Sequence, residues 1–176
     1  LVAHLTTRHR PFDRLALIGV VKQLCKTSAP LLLISTQLIE AGVDVSFDHL
    51  YRDLAPVPSI VQAAGRCNRS FGSDRRDVCI WKLASTKDGS PPSEVIYSTL
   101  AFGNPLAATE TALEKHREGK YVGETAMISE VVDEYYSIYH ATSGTTETSL
   151  SLLVDEAKCT SLSAKHIIDQ QASFDV

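Results

Sequence analysis

Between residues 11 and 26 the apolar side chains Leu15, Ile18, Val21 and Cys25 fall at three- and four-residue steps, the period of one face of a helix. Pro11 and Asp13 suit the first turn of that helix, and Ser28-Ala29-Pro30 closes it. Residues 31–36 form a continuous apolar run ending in Ser-Thr, the composition of a parallel strand covered on both faces. Residues 37–41 predict a short helical turn stopped by Gly42, where a left-handed backbone costs little. A second strand is predicted over 47–54, with Pro56 and Pro58 marking the loop after it. Ser59 then caps a helix carrying Gln62, Arg66 and Arg69. Residues 77–83 alternate well enough to form a third strand. Strands alternating with helices predict an α/β fold with a parallel sheet and right-handed crossovers.

From 84 to 93 the chain turns polar, with Gly89, Pro91 and Pro92. That shift divides it into an α/β part, 1–84, and a mostly helical carboxy-terminal part, 85–176. In the second part Asn104-Pro105 reads as a helix cap with proline in the first turn, and Gly119 follows Lys115-His116-Arg117 as the stop. Residues 128–139 predict another helix, in which Tyr135, Tyr136 and Tyr139 sit at helical spacing beside Val131 and Val132 and read as core rather than as a base-stacking face. The Ser/Thr/Gly-rich stretch 142–148 reads as a loop.

With 176 residues, 44% of them hydrophobic, the chain can bury one sizeable core. No apolar run approaches the length of a membrane span. Cys25, Cys67, Cys79 and Cys159 are far apart, which indicates neither a zinc site nor a disulfide framework and fits a reducing cytoplasm. The first residue is Leu, so the natural amino terminus is expected to lie upstream. Charge is distributed unevenly. Residues 1–82 hold 11 Lys/Arg against 7 Asp/Glu, net +4, whereas 83–176 hold 6 against 14, net −8. Only the first part suits a nucleic-acid backbone.

The candidate chemistry lies in that basic part. Gln62, Arg66 and Arg69 recur at i, i+4 and i+7, which on a helix puts two guanidiniums on one face. Such a pair repels unless an anion lies between, and a polyphosphate turns both into two-pronged clamps. The alternative is a surface helix with scattered arginines, against which Gly65 suggests a close backbone approach. Ser35 and Thr36 end a parallel strand, where α/β folds meet ligands. Read without its neighbours, Thr36 is an ordinary strand-end hydroxyl. Glu40 and Asp44 are four apart, a spacing that suggests general acid–base work or a metal site, but Gly42 interrupts them and no further ligand follows, so they predict no metal site. Asp44 has two candidate partners, a ribose hydroxyl and a neighbouring loop. Arg8 and Arg14, with Arg10, are equally readable as a DNA-phosphate grip or a solvated loop. The six histidines show no metal spacing and read as structural or surface.

Two ordered motifs, Ser35-Thr36-Gln37-Leu38-Ile39-Glu40-Ala41-Gly42-Val43-Asp44 and Gln62-Ala63-Ala64-Gly65-Arg66-Cys67-Asn68-Arg69, flank Tyr51-Arg52-Asp53-Leu54-Ala55-Pro56. Together with residues 5–14 they resemble the carboxy-terminal motor lobe of superfamily-two helicases, and more specifically the helicase-nucleases of type I CRISPR systems. The likeness is strong over 5–83 and diffuse beyond. It implies a truncated second RecA-like lobe followed by a mostly helical region. Thr36 and its neighbour Ser35 would then touch the nucleic-acid backbone, Gly42 and Asp44 would border the nucleotide, and Arg69 would be an arginine finger supported by Arg66. Gln62 would position water or couple the finger to the other lobe. No Gly-x-x-x-x-Gly-Lys-Ser/Thr loop, Asp-Glu-x-His box or His-Asp nuclease constellation occurs. The resemblance places all three upstream, so ATP with Mg is completed by the first lobe, and nuclease metal ions belong to the full enzyme only. Implied partners are single-stranded DNA, the RNA-guided surveillance complex, and the first lobe and nuclease domain of the same enzyme. Two alternatives stand beside this reading: another superfamily-two helicase lobe acting in RNA metabolism or repair, and an interaction module with relic motor motifs.

Overall fold

The computed structural model describes residues 1–40, 43–69, 76–85, 89–97, 104–117 and 124–142. Its first unit is β1 (Val2–Leu5), α1 (Pro11–Lys26) and β2 (Leu32–Ser35), with β1 and β2 paired in parallel from Val2 opposite Leu32 to Leu5 opposite Ser35. Pro11 opens α1 at a position where a missing N–H costs nothing. Val21 of α1 packs with Val43 and Val45, and Leu17, Ile18, Leu31 and Leu33 close around them.

Two sequence expectations change here. β1 was not predicted, since its four residues with His4 in the middle carry little signal. β2 is covered on one face, not both. Val2, Leu32 and Ile34 are exposed, because among the described residues α1 and the 43–47 segment pack on the opposite face only. Leu15 is 70% exposed as well, so the buried stripe of α1 begins at Leu17 and Ile18.

The second unit is β3 (Leu50–Asp53), α2 (Val57–Ala64) and β4 (Val78–Trp81). β3 and β4 are parallel, Leu50 opposite Val78 through Asp53 opposite Trp81. Both strands are shorter than predicted, although Phe47 forms an isolated parallel bridge with Cys67. Between β2 and β3, Gln37–Ile39 make one 3-10 turn in place of the predicted helical turn over 37–41. Helix α2 starts at Val57, with Pro56 rather than Ser59 at its cap and Pro58 inside its first turn. Proline is tolerated there because first-turn N–H groups have no helical acceptor.

The remaining elements are α3 (Pro92–Tyr97), α4 (Pro105–His116) and α5 (Glu124–Thr142). Asn104 caps α4 as predicted, its side chain accepting from the Ala107 N–H at 3.0 Å. Gly119 and residues 143–148 lie outside the described residues, and Thr142 is still helical. Two buried clusters join residues from either side of position 84. Leu54, Ala55 and Ile60 meet Tyr97 and Leu106, and Val57 meets Ala108, Ala112, Val131 and Tyr135. The helical region therefore shares its core with α2 and with the segment that joins β3 to it. No helix among the described residues is long and apolar enough to cross a membrane.

Candidate functional site

The predicted nucleic-acid contacts gather at one edge of the molecule. Because β1 and β2 are parallel and in register, Leu5 and Ser35 end side by side, and the Thr36 N–H donates to the Leu5 carbonyl at 3.1 Å. Thr36 is exposed, whereas the Ser35 hydroxyl donates to the Thr36 carbonyl at 2.8 Å. Arg8 follows β1 in an exposed turn closed by the His9 N–H donating to the Thr6 carbonyl at 3.2 Å. Arg14 lies in the first turns of α1, half-exposed. Arg10 is committed locally, gripping Asp13 with two bonds of 2.7 and 3.2 Å.

The arginine motif is arranged differently from the prediction. Gln62 lies on α2 and is exposed, but the helix ends at Ala64, so Arg66 and Arg69 do not share a helical face with it. Three bonds tighten the exit: the Gly65, Arg66 and Cys67 N–H groups donate to Val61, Ala63 and Ala64 carbonyls at 3.0, 2.8 and 2.8 Å. Asn68 then turns the chain at φ 49°, a left-handed conformation that asparagine tolerates better than most residues. Phe47 captures the emerging segment on both sides, donating to the Arg66 carbonyl and accepting from the Asn68 N–H, each at 2.9 Å. Gly65 itself is helical at φ −62°, and a Cβ there would meet nothing nearer than 3.5 Å. The close approach inferred for it is therefore not required within this chain.

The loop sends its two guanidiniums to different neighbours. Arg66 Nη2 donates to the Glu40 main-chain carbonyl at 2.8 Å. Arg69 pairs through Nη1 with the exposed Asp44 carboxylate at 2.8 Å, while its main-chain N–H donates to Ser46 Oγ at 2.9 Å. Asp44 thus meets a neighbouring loop through Arg69. Gly42 lies outside the described residues. Arg69, Asp44 and Ser46 open onto a cavity of about 480 Å³ whose other side carries Lys22 and Lys26 from the end of α1. Two lysines of α1, the Arg69 guanidinium and one hydroxyl suit a polyphosphate, with Asp44 the one carboxylate lining the cavity among the described residues. Sequence reasoning missed both lysines, although their i, i+4 spacing on the polar side of α1 was visible. Among the described residues no group of three His, Cys, Asp or Glu is placed to hold a metal ion.

Behind the loop lies a second, buried set of polar groups that the motifs did not suggest. Glu40, 8% exposed, meets Arg52 of β3 at 2.7 Å. Arg52 Nη2 also lies 3.0 Å from Tyr97 Oη at the end of α3. Burial pushes the Glu40 carboxyl up, against the opposing pull of the Arg52 charge and hydrogen bond.

Parallel strands with flanking helices, a polar segment after β2 and an arginine loop after α2 give an α/β architecture of the kind expected for the carboxy-terminal part of a RecA-like lobe. A family model described as "CRISPR-associated nuclease/helicase Cas3, C-terminal" matches residues 2–71, which contain both motifs. Along its whole length the chain is 36% identical to the CRISPR-associated nuclease/helicase Cas3 of Haloferax volcanii, over 191 aligned positions. It spans 20% of that relative. Its fold is shared with T. fusca Cas3-AMPPNP, at TM-score 0.61 and 22% identity over 93% of this chain and 20% of the other. A chain of a pre-nicking CRISPR RNA-guided surveillance complex is similar as well, at TM-score 0.57 and 21% identity over 96% of this chain and 22% of the other. These likenesses bear out the resemblance to the CRISPR-associated helicase-nucleases and put it in their carboxy-terminal part.

Proposed function

We propose that this chain supplies the second-lobe side of an ATP-driven motor in a CRISPR-associated helicase-nuclease, with Arg69 as the arginine finger. The whole enzyme moves along single-stranded DNA, is recruited by an RNA-guided surveillance complex and acts in the cytoplasm. The first lobe contributes the phosphate-binding loop and magnesium, and a separate domain contributes the nuclease metal ions. The observation that carries the reading is the seating of Arg69, fixed at its backbone by Ser46 and, among the described residues, held at its guanidinium by an exposed carboxylate. An exposed pair of this kind is worth about 0.2–1 kcal/mol, so a nucleotide phosphate can replace Asp44 at little cost. Asp44 thus holds the guanidinium at the cavity mouth until a phosphate arrives. Lys22 and Lys26 add positive charge on the opposite wall, and Arg66 braces the loop from behind. Thr36, Arg8 and Arg14 meet DNA phosphates at the other edge.

The test is steady-state ATP hydrolysis by the full-length enzyme with saturating single-stranded DNA. Arg69→Ala is expected to lower turnover by about 10³-fold, leaving single-strand binding and metal-nuclease chemistry intact. Arg69→Lys should rescue little, since an ammonium cannot reproduce the planar fork. Near-normal turnover in a folded Arg69→Ala enzyme would remove the assignment.

A further inference from the structure

The buried polar set behind the arginine loop runs without interruption from the helical region to Arg66. Tyr97 closes α3, Arg52 sits in the middle of β3, Glu40 ends the 3-10 turn, and Arg66 follows α2. The contacts between them are 3.0, 2.7 and 2.8 Å. Glu40 serves twice: its carboxylate is held by Arg52 while its main-chain carbonyl receives Arg66. Anchoring the carboxylate thus restrains the residue whose carbonyl receives Arg66. Arg66 is three residues from Arg69, and the Phe47 bonds across residues 66–68 make that segment one unit. Arg52 and Glu40 retain only 18% and 8% side-chain exposure. Water is therefore a poor substitute for any of these partners, and buried hydrogen-bonded groups of this kind hold one arrangement against alternatives.

We propose that Glu40, Arg52 and Tyr97 are positioning residues that orient the arginine loop through Arg66 and make its geometry depend on helix α3. This rests on the proposed role of Arg69 for its effect on ATP turnover, but not for its effect on the loop. The coupling has a direction. Displacing α3 loosens Arg52, then Glu40, then the carbonyl under Arg66, and the finger loses its aim without losing its charge.

Two measurements on the full-length enzyme test the proposal. Tyr97→Phe removes one hydroxyl and little else. It is expected to lower kcat for DNA-stimulated ATP hydrolysis roughly 3- to 30-fold with KM for ATP nearly unchanged, as befits lost aim rather than lost binding. Hydrogen exchange without nucleotide should show faster exchange at the Asn68 and Phe47 amides. Arg52→Glu and Glu40→Arg should each act more strongly, and the double exchange should recover part of both signals. Unchanged amide exchange in folded Tyr97→Phe and Arg52→Glu enzymes would overturn the proposal, as would faster exchange with unaltered kcat in an enzyme whose turnover depends on Arg69. Faster exchange in an enzyme whose turnover ignores Arg69 would uphold the positioning of the loop and refute the finger.

Discussion

Glu40 is pulled in two directions, and the balance is open to measurement. Burial raises its carboxyl above the ordinary value, and Arg52 lowers it again. An acid with a raised folded value favours the folded state most below its unfolded value, and that advantage is lost as pH rises through the folded one. Arg52→Met removes the opposing influence, so the loss should become steeper on the alkaline side of the ordinary glutamate value. Melting temperatures of variant and wild type across that range should diverge as pH rises, and parallel curves would show that Arg52 does not hold the Glu40 charge. None of this was legible in the sequence. The four-residue spacing of Glu40 and Asp44 raised general acid–base work or a metal and pointed to no buried partner for Glu40, whereas Arg52 and Tyr97 lie 12 and 57 positions beyond it. No local period links such residues. Arg69 stands out in the sequence as a candidate because its motif is contiguous.

At the scale of elements, α1 separates two groups of cations. A helix of its length spans about 24 Å. Arg8 and Arg14 lie toward its start, beside the ends of β1 and β2, and Lys22 and Lys26 lie toward its end, beside Arg69. If the first group grips DNA, Arg8→Ala with Arg14→Ala should lower single-strand affinity and reduce the slope of log affinity against log salt by roughly 1.4 for two lost contacts. A salt titration of binding reads this directly, and an unchanged slope would move the contact elsewhere. Helix existence was well signalled by period, but the end of α2 was not. The i, i+4, i+7 spacing of Gln62, Arg66 and Arg69 continues a helical pattern through residues whose backbone has already turned toward Phe47. A long-range strand bridge overrode the local pattern, and period alone cannot anticipate it. The Asn104 cap, set wholly by neighbouring residues, was legible, and Asn104→Ala should cost about 1 kcal/mol in a denaturant melt.

For the molecule as a whole, alternating strands and helices gave the α/β class, whereas the shared core across position 84 depends on α2 meeting α4 and α5, which composition does not encode. By itself the chain holds no phosphate-binding loop. The purified 176-residue chain is expected to show no ATP hydrolysis with or without single-stranded DNA, and turnover surviving removal of contaminants would refute the division of labour between lobes. The uncovered side of the β1–β2 pair bears on how that experiment is run. Val2, Leu32 and Ile34 form an oily strip on a ribbon of two strands, and water drives such strips together in proportion to their area. Concentrated solutions of the chain alone should scatter light and sediment faster than a monomer, and a charged residue in place of Leu32 should disperse them. The inactivity of the chain acquires meaning only at dilutions where it travels singly.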